Sequence, residues 1–305
     1  MKNNKNLKVA AGLLVLVLLT TCVIGTTLAR YTTADSASDT ARVAKWGIEL
    51  AIGGTLFGTD YAEHNAAERP DEMVAYTSES VSGSDAVVAP GTKNDAGFAF
   101  TLNGTPEVAY DVIVTDNNNE SIYLLGGYSY GIMIEEYGVN ETTDISGLYT
   151  KTTDGYVPVN TNPYVAGTTY YRLHDALDLT NSYYPVIWTV KGTGHLSGLN
   201  SSTNDLADLA TQIGNAVDAL KGDANDSAAA SFVLTWAWAI DGQNDKADTI
   251  LGNLMATADV DVVAKAGGTK YYTVVVSDNV AKANGVVVAN LDVSYEFGAR
   301  VEQVD

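Results

Sequence analysis

Residues 232–240 read Phe-Val-Leu-Thr-Trp-Ala-Trp-Ala-Ile, so Phe232, Leu234, Trp236, Trp238 and Ile240 share one parity while Val233, Thr235, Ala237 and Ala239 share the other. Side chains two apart point the same way only in an extended strand, so this stretch must lie in a sheet with its large rings on one face. Rings on one side and small residues on the other predict a central strand whose ring-bearing face is covered.

The same period recurs elsewhere. Trp46, Ile48, Leu50 and Ile52 alternate with Lys45, Gly47, Glu49 and Ala51, which predicts a half-buried strand whose apolar residues enter the core beside Trp188, Trp236 and Trp238. Further strands are expected near 97–103, 108–115, 122–125, 128–136, 271–276 and 286–295, with 299–304 extending the last pairing. Asn103-Gly104, Asp116-Asn117, Asp154-Gly155 and Asn284-Gly285 punctuate them as turns. A polar stretch at 58–84 reads as a long surface loop carrying one short strand near 73–76. Many short strands separated by turns predict a mainly β chain folded as an antiparallel sandwich.

One segment breaks the period. From 204 to 220, Leu206, Leu209, Ala210, Ile213, Ala216, Val217 and Leu220 recur at helical spacing, with Asp205, Asp208 and Asp218 opposite. Ser202, Thr203 or Asn204 can cap the start, and Lys221-Gly222 suits the stop. The polar face is acidic, which favours a helix laid over the core of the sandwich rather than one resting on a membrane surface.

The chain opens with Lys2, Lys5 and Lys8 followed by an apolar run at 9–19, the pattern of an export signal. Thr27 and Ala29 stand at −3 and −1 if cleavage falls between Ala29 and Arg30. A lipoprotein site at Cys22 and a retained anchor are the rival outcomes, and Thr21 is bulky where lipoprotein sites carry Gly, Ala or Ser. Cleavage removes three lysines, so 17 basic residues become 14 against 37 acids and formal charge passes from −20 to −23. Such a balance disfavours nucleic acid and anionic lipid as partners. Cys22 is the single cysteine, so the mature chain holds no disulfide and relies on burial and sheet hydrogen bonds. The expected organisation is a cleaved signal at 1–29, an N-terminal segment at 30–44 and one sandwich domain at 45–305.

Catalytic chemistry finds little support. His64, His174 and His195 form no His-Glu-x-x-His zinc motif. Gly127-Tyr128-Ser129-Tyr130-Gly131 matches the pattern of a nucleophile elbow, but the alternation of Tyr128, Tyr130, Ile132 and Ile134 continues as a strand where the elbow needs a helix. Asp116-Asn117-Asn118-Asn119-Glu120 and Asp241-Gly242-Gln243-Asn244-Asp245 lack the Gly and Glu of an EF-hand loop. A looser calcium site on Asp241, Asp245 and Asp248 is the sole metal candidate, against the plainer reading of an Asp/Asn-rich turn. No other cofactor is expected.

Several blocks, in order, resemble one family. Thr27-Leu28-Ala29-Arg30-Tyr31-Thr32-Thr33, the strand at 46–50, Ala89-Pro90-Gly91-Thr92, Gly104-Thr105-Pro106-Glu107-Val108-Ala109-Tyr110 and Tyr183-Tyr184-Pro185-Val186-Ile187-Trp188-Thr189 form the first part of the match. Leu234-Thr235-Trp236-Ala237-Trp238, then Asn244-Asp245, Asp248-Thr249, Leu251-Gly252 and the final Val301-Glu302-Gln303-Val304-Asp305 complete it. Together they look like the TasA/camelysin group of secreted fibre proteins from Gram-positive bacteria, whose signals are cut by a SipW-type peptidase. The loop at 58–84 and the region 115–180 have no counterpart in that pattern.

The resemblance implies a jelly-roll-like sandwich, secreted to the extracellular matrix or cell surface, that polymerises head to tail into biofilm fibres. It implies as partners other copies of the chain, the signal peptidase during export and an accessory fibre subunit, with no membrane contact after cleavage. Donor-strand exchange suits this chain physically, because an added strand satisfies the open N–H and C=O groups of a sheet edge. Residues 30–44, small, polar and free of Pro and Gly, are the expected donor, carried by Arg30, Tyr31, Thr32, Thr33, Ala34, Asp35, Ala37, Ala41 and Ala44. Two alternatives come from other classes. Some members of the family are described as metalloproteases, although no chelating triad is assembled by spacing here. A monomeric module binding surfaces or glycans through exposed members of its 18 tyrosines is the other.

Overall fold

The computed structural model describes residues 44–54, 56–57, 75–76, 78–79, 86–126, 129–131, 134–160, 163–173, 176–178, 181–239, 244–256 and 262–304. The segment expected as an export signal, the expected Ala29/Arg30 cleavage position, the expected donor residues from Arg30 to Ala41, most of the 58–84 stretch, and Asp241 lie outside them. Of the expected donor segment only Ala44 is described, and it is exposed.

The elements that build the sandwich are, in chain order, β1 (Ile48–Gly54), β2 (Thr92–Gly104), β3 (Tyr110–Glu120), β4 (Val186–Gly194), β5 (Asn200–Thr203), α1 (Leu206–Asp218), β6 (Ala230–Trp238), α2 (Asp245–Ala256), β7 (Tyr272–Ser277), β8 (Val280–Ala283), β9 (Val286–Asn290) and β10 (Ser294–Gln303). The chain is mainly β, with its sheets almost wholly antiparallel. The first layer is a sheet ordered β1-β2-β6-β4-β5, to which the short strand Ala75–Tyr76 adds in parallel on β2. The ring-bearing strand β6 is central in it, paired on both sides along nearly its whole length. Phe232, Leu234, Trp236 and Trp238 all face the core, as their alternation requires.

The second layer joins strands and helix. Lys221–Gly222, β3 and β10 form a three-stranded sheet, and α1 lies along β3 and beneath β5. Leu206, Leu209, Ile213 and Val217 of α1 are fully buried in the shared core. Asp205 caps the helix by accepting from the Asp208 amide at 2.9 Å, one residue later than the expected caps. The helix ends at Asp218, and Lys221–Gly222 then pairs with β3 instead of acting as a simple stop. Side chains tie the two together: Asn117 Nδ2 donates to the Ala210 carbonyl at 2.7 Å and the Val114 amide to Asp218 Oδ1 at 3.3 Å.

Three features depart from the sequence reading, the first being Asp116-Asn117, which is expected as a turn and instead runs inside β3, opposite Gly298 and Phe297 of β10. The Asn-Asp stretch expected as a turn begins a second helix, α2, because Ala247, Ile250, Leu251 and Leu254 line one face and are buried. The expected strand at 128–136 is divided into Ser129–Gly131 and Ile134–Tyr137, which join different sheets. β7, β8 and β9 form consecutive hairpins, and Ala281, Ala283, Val288 and Ala289 of β8 and β9 are buried in the shared core. Asn284-Gly285 turns between β8 and β9, while Asp278-Asn279 makes the preceding turn with positive φ at both residues. A four-stranded sheet within 134–173 packs its tyrosines together, with Tyr156 and Tyr171 edge to face at 5.2 Å between centroids.

Candidate assembly edge

The strand β1 ends the first layer and β10 ends the second, and the two lie on the same flank of the sandwich. Neither has a strand on its outer side among the described residues. The opposite flank differs, since α1 closes the core there. One flank ends in alternating strands and the other in an amphipathic helix.

β1 is held at both ends. At its start, the Lys45 amide donates to Glu107 Oε2 at 3.0 Å and the Glu107 amide donates to the Lys45 carbonyl at 2.9 Å. Gly47 and Gly104 pass so closely that a Cβ on Gly104 would collide with the Gly47 carbonyl, and both adopt positive φ, which glycine alone takes without cost. Just past its end, Leu56 plugs into the core, and its carbonyl accepts from Asn94 Nδ2 and Trp236 Nε1, each at 2.7 Å. Between these clamps β1 pairs with β2 from Ile48 opposite Gly104 to Gly54 opposite Phe98. The strand is fixed while, among the described residues, no strand pairs with its outer side, the condition in which an edge accepts another strand.

The side chains repeat this asymmetry. Ile48, Leu50 and Ile52 share the inward face of β1, but only Ile48 is buried, and Leu50 and Ile52 are covered in part. Trp46 is half-buried too, whereas Trp188, Trp236 and Trp238 are buried as expected. Across the seam, Phe98 on β2 meets Tyr295 on β10 edge to face at 5.8 Å between centroids, and both remain half-buried. Tyr295 also stacks beside Phe297 at 6.4 Å. The Tyr295 hydroxyl is enclosed without a hydrogen-bond partner, and burial pushes its pKa up. An unpaired buried hydroxyl costs about 1–3 kcal/mol, so this flank contains both uncovered apolar surface and an unmet polar group.

Of the expected calcium residues, Asp241 lies outside the described residues, while Asp245 and Asp248 take part in other structure. Asp245 and Asp248 lie in the first turn of α2, and Asp248 Oδ1 accepts from Tyr183 Oη at 2.7 Å and Trp238 Nε1 at 3.1 Å. That carboxylate therefore joins α2 to the end of β6 and to the segment before β4. Burial holds its pKa above the usual carboxylate range, with the two hydrogen bonds opposing the shift and Asp245 adding to it. Among the described residues no group of three or more His, Cys, Asp or Glu side chains is placed to hold a metal ion. His195 bonds the Ser227 carbonyl at 2.9 Å, while His64 and His174 lie outside the described residues.

The open flank was not marked in the sequence. The only signal that could have found it is the position of a donor-like polar segment immediately before an alternating strand. Neither a protein-family model, nor a curated protein, nor a solved structure matches this chain.

Proposed function

We propose that this chain is a secreted structural subunit that polymerises head to tail, residues 30–44 of one copy adding along the open flank of the next. The observation that carries this reading is the pair of unpartnered edges, β1 and β10, around the half-covered Leu50, Ile52, Phe98 and Tyr295. The resemblance to secreted fibre proteins points the same way.

The dimensions are sufficient. Fifteen residues in extended form reach about 50 Å, against roughly 23 Å for the seven residues of β1. The clamp at Lys45 fixes where the segment leaves the domain, so its own copy's β1 starts only three residues later and cannot double as the acceptor without a reversal of the chain. A donor entering a different copy avoids that reversal. Contacts of this kind do not close on themselves, so they extend into filaments. Each added ladder hydrogen bond contributes about 1 kcal/mol, and covering the apolar seam contributes further.

Negative-stain microscopy of the purified protein beginning at Arg30 is expected to show filaments, and the same protein beginning at Lys45 monomers. Filaments formed equally well by both would defeat the reading. Acidic pH is expected to speed assembly by neutralising part of the 37 acids, and equal rates at neutral and acidic pH would remove that element. The enzyme alternative finds no residue set among those described; casein cleavage abolished by a chelator would reinstate it.

A further inference from the structure

A second feature lies away from the open flank. Where β4 and β6 meet the start of α2, a cleft of about 460 Å³ opens beside the outward face of the first layer. Its volume falls within the range of small-molecule sites. Two tyrosines form one wall. Tyr183 is pinned by a backbone bridge to Leu124, with N···O distances of 2.8 and 2.9 Å, and by its hydroxyl on Asp248. Tyr184 is braced by the ring of Tyr123 at 5.7 Å between centroids. Both rings are half-exposed and already positioned, so a ligand need not order them.

The polar groups facing this wall are uncommitted. The side-chain amides of Asn204 and Asn244 and the second oxygen of Asp248 make no hydrogen bond among the described residues, although all three residues line the cleft. Ser202 adds a hydroxyl, linked at 3.1 Å to that of Thr189 on the neighbouring strand. Amides and hydroxyl offer both donors and acceptors, and the carboxylate a further acceptor. The described lining contains no Lys, Arg or His, in a chain of formal charge −20, which argues against a phosphate, a uronate or another anion. A cationic ligand is disfavoured as well, because the one carboxylate in the wall already spends an oxygen on Tyr183 and Trp238 and is half-buried.

We propose that this cleft binds a neutral saccharide, a sugar ring packing on Tyr184 while its hydroxyls bond Ser202, Asn204, Asn244 and Asp248. The apolar C–H face of a pyranose matches an aromatic wall, and its hydroxyls match a mixed set of donors and acceptors. The hydroxyl row of Thr189 and Ser202 continues the polar path onto the sheet, where the next unit of a chain would lie. This site is independent of fibre assembly, since none of its residues belongs to β1 or β10.

Saturation-transfer NMR and calorimetry on the purified protein, with cellotetraose, chitotetraose and maltotetraose as neutral probes and tetralysine and tetragalacturonate as charged ones, test it. At least one neutral probe is expected to bind, with Tyr184→Ala weakening it about tenfold while lowering the melting temperature by no more than about 4 °C through loss of the Tyr123 ring contact. Asn204→Ala, at an exposed turn, gives a second variant with a smaller loss should Tyr184→Ala fold poorly. Absence of binding by every neutral probe at millimolar concentration, preference for a charged probe, or full affinity in both variants would overturn the proposal.

Discussion

The two flanks of the sandwich border one core, one closed by a helix and the other ending in edge strands, and they are left in opposite conditions. On one, α1 presses Leu206, Leu209, Ile213 and Val217 into the core and leaves them no exposure. On the other, Leu50 and Ile52 point inward from an edge strand and stay partly uncovered, beside a Tyr295 hydroxyl with nothing to bond. The sealed flank is complete within one chain. The open flank has the composition of an interior and the exposure of a surface, which is the state expected of a site that a further strand finishes.

The sharpest way to break this contrast is to cut the same kind of side chain from each flank. Leu209→Ala in α1 is expected to cost about 2–5 kcal/mol in urea unfolding, because a fully buried leucine leaves a cavity. Leu50→Ala should cost the isolated subunit only about 1 kcal/mol, since part of its surface already meets water, while slowing filament growth markedly. Equal losses in the two variants would mean the flanks do not differ in closure.

Tyr295→Phe refines the comparison further. Removing a hydroxyl that has no partner is expected to leave the isolated subunit as stable or to raise its stability by up to about 1 kcal/mol. A clear loss of stability would show that the hydroxyl is already satisfied within one chain.

The smallest effect concerns the closed body near α2. Because burial makes Asp248 harder to ionise in the folded chain than in the unfolded one, the folded state holds the proton more tightly. Its contribution to stability should therefore rise as pH falls through the elevated value toward 3.8 and level off below that. Asp248→Asn is expected to remove this slope, seen as a difference between variant and wild-type stability curves against pH. A slope of opposite sign would mean that Tyr183 and Trp238 stabilise the charged carboxylate more than burial disfavours it.

How legible the molecule was in its sequence follows from what each signal depends on. The alternation at 232–240 is a property of one strand, and it identified β6 and its buried rings. The apolar spacing at 206–220 likewise carried α1. α2 was harder to see, because Gly252 interrupts it and the Asn-Asp start suggests a turn. The Asp278-Asn279 turn carries no glycine to announce it, although both residues take positive φ there. Trp46 and Leu50 read as core from their parity, yet both are half-buried, and among the described residues β1 has no outer neighbour. Sheet order is set by distant segments, so an open flank leaves no trace in the strand that borders it. The contact of Asp248 with Tyr183 and Trp238 is nonlocal for the same reason, which is why the aspartates read as an Asp/Asn-rich turn, or at most a loose calcium loop, rather than as a strut.

The most direct test of the open flank is hydrogen–deuterium exchange on the protein beginning at Lys45, with and without a synthetic peptide of residues 30–44. The peptide is expected to slow exchange of the outward amides in β1 and β10 and to leave α1 unchanged. Binding elsewhere, or no added protection along either edge at saturating peptide, would contradict it.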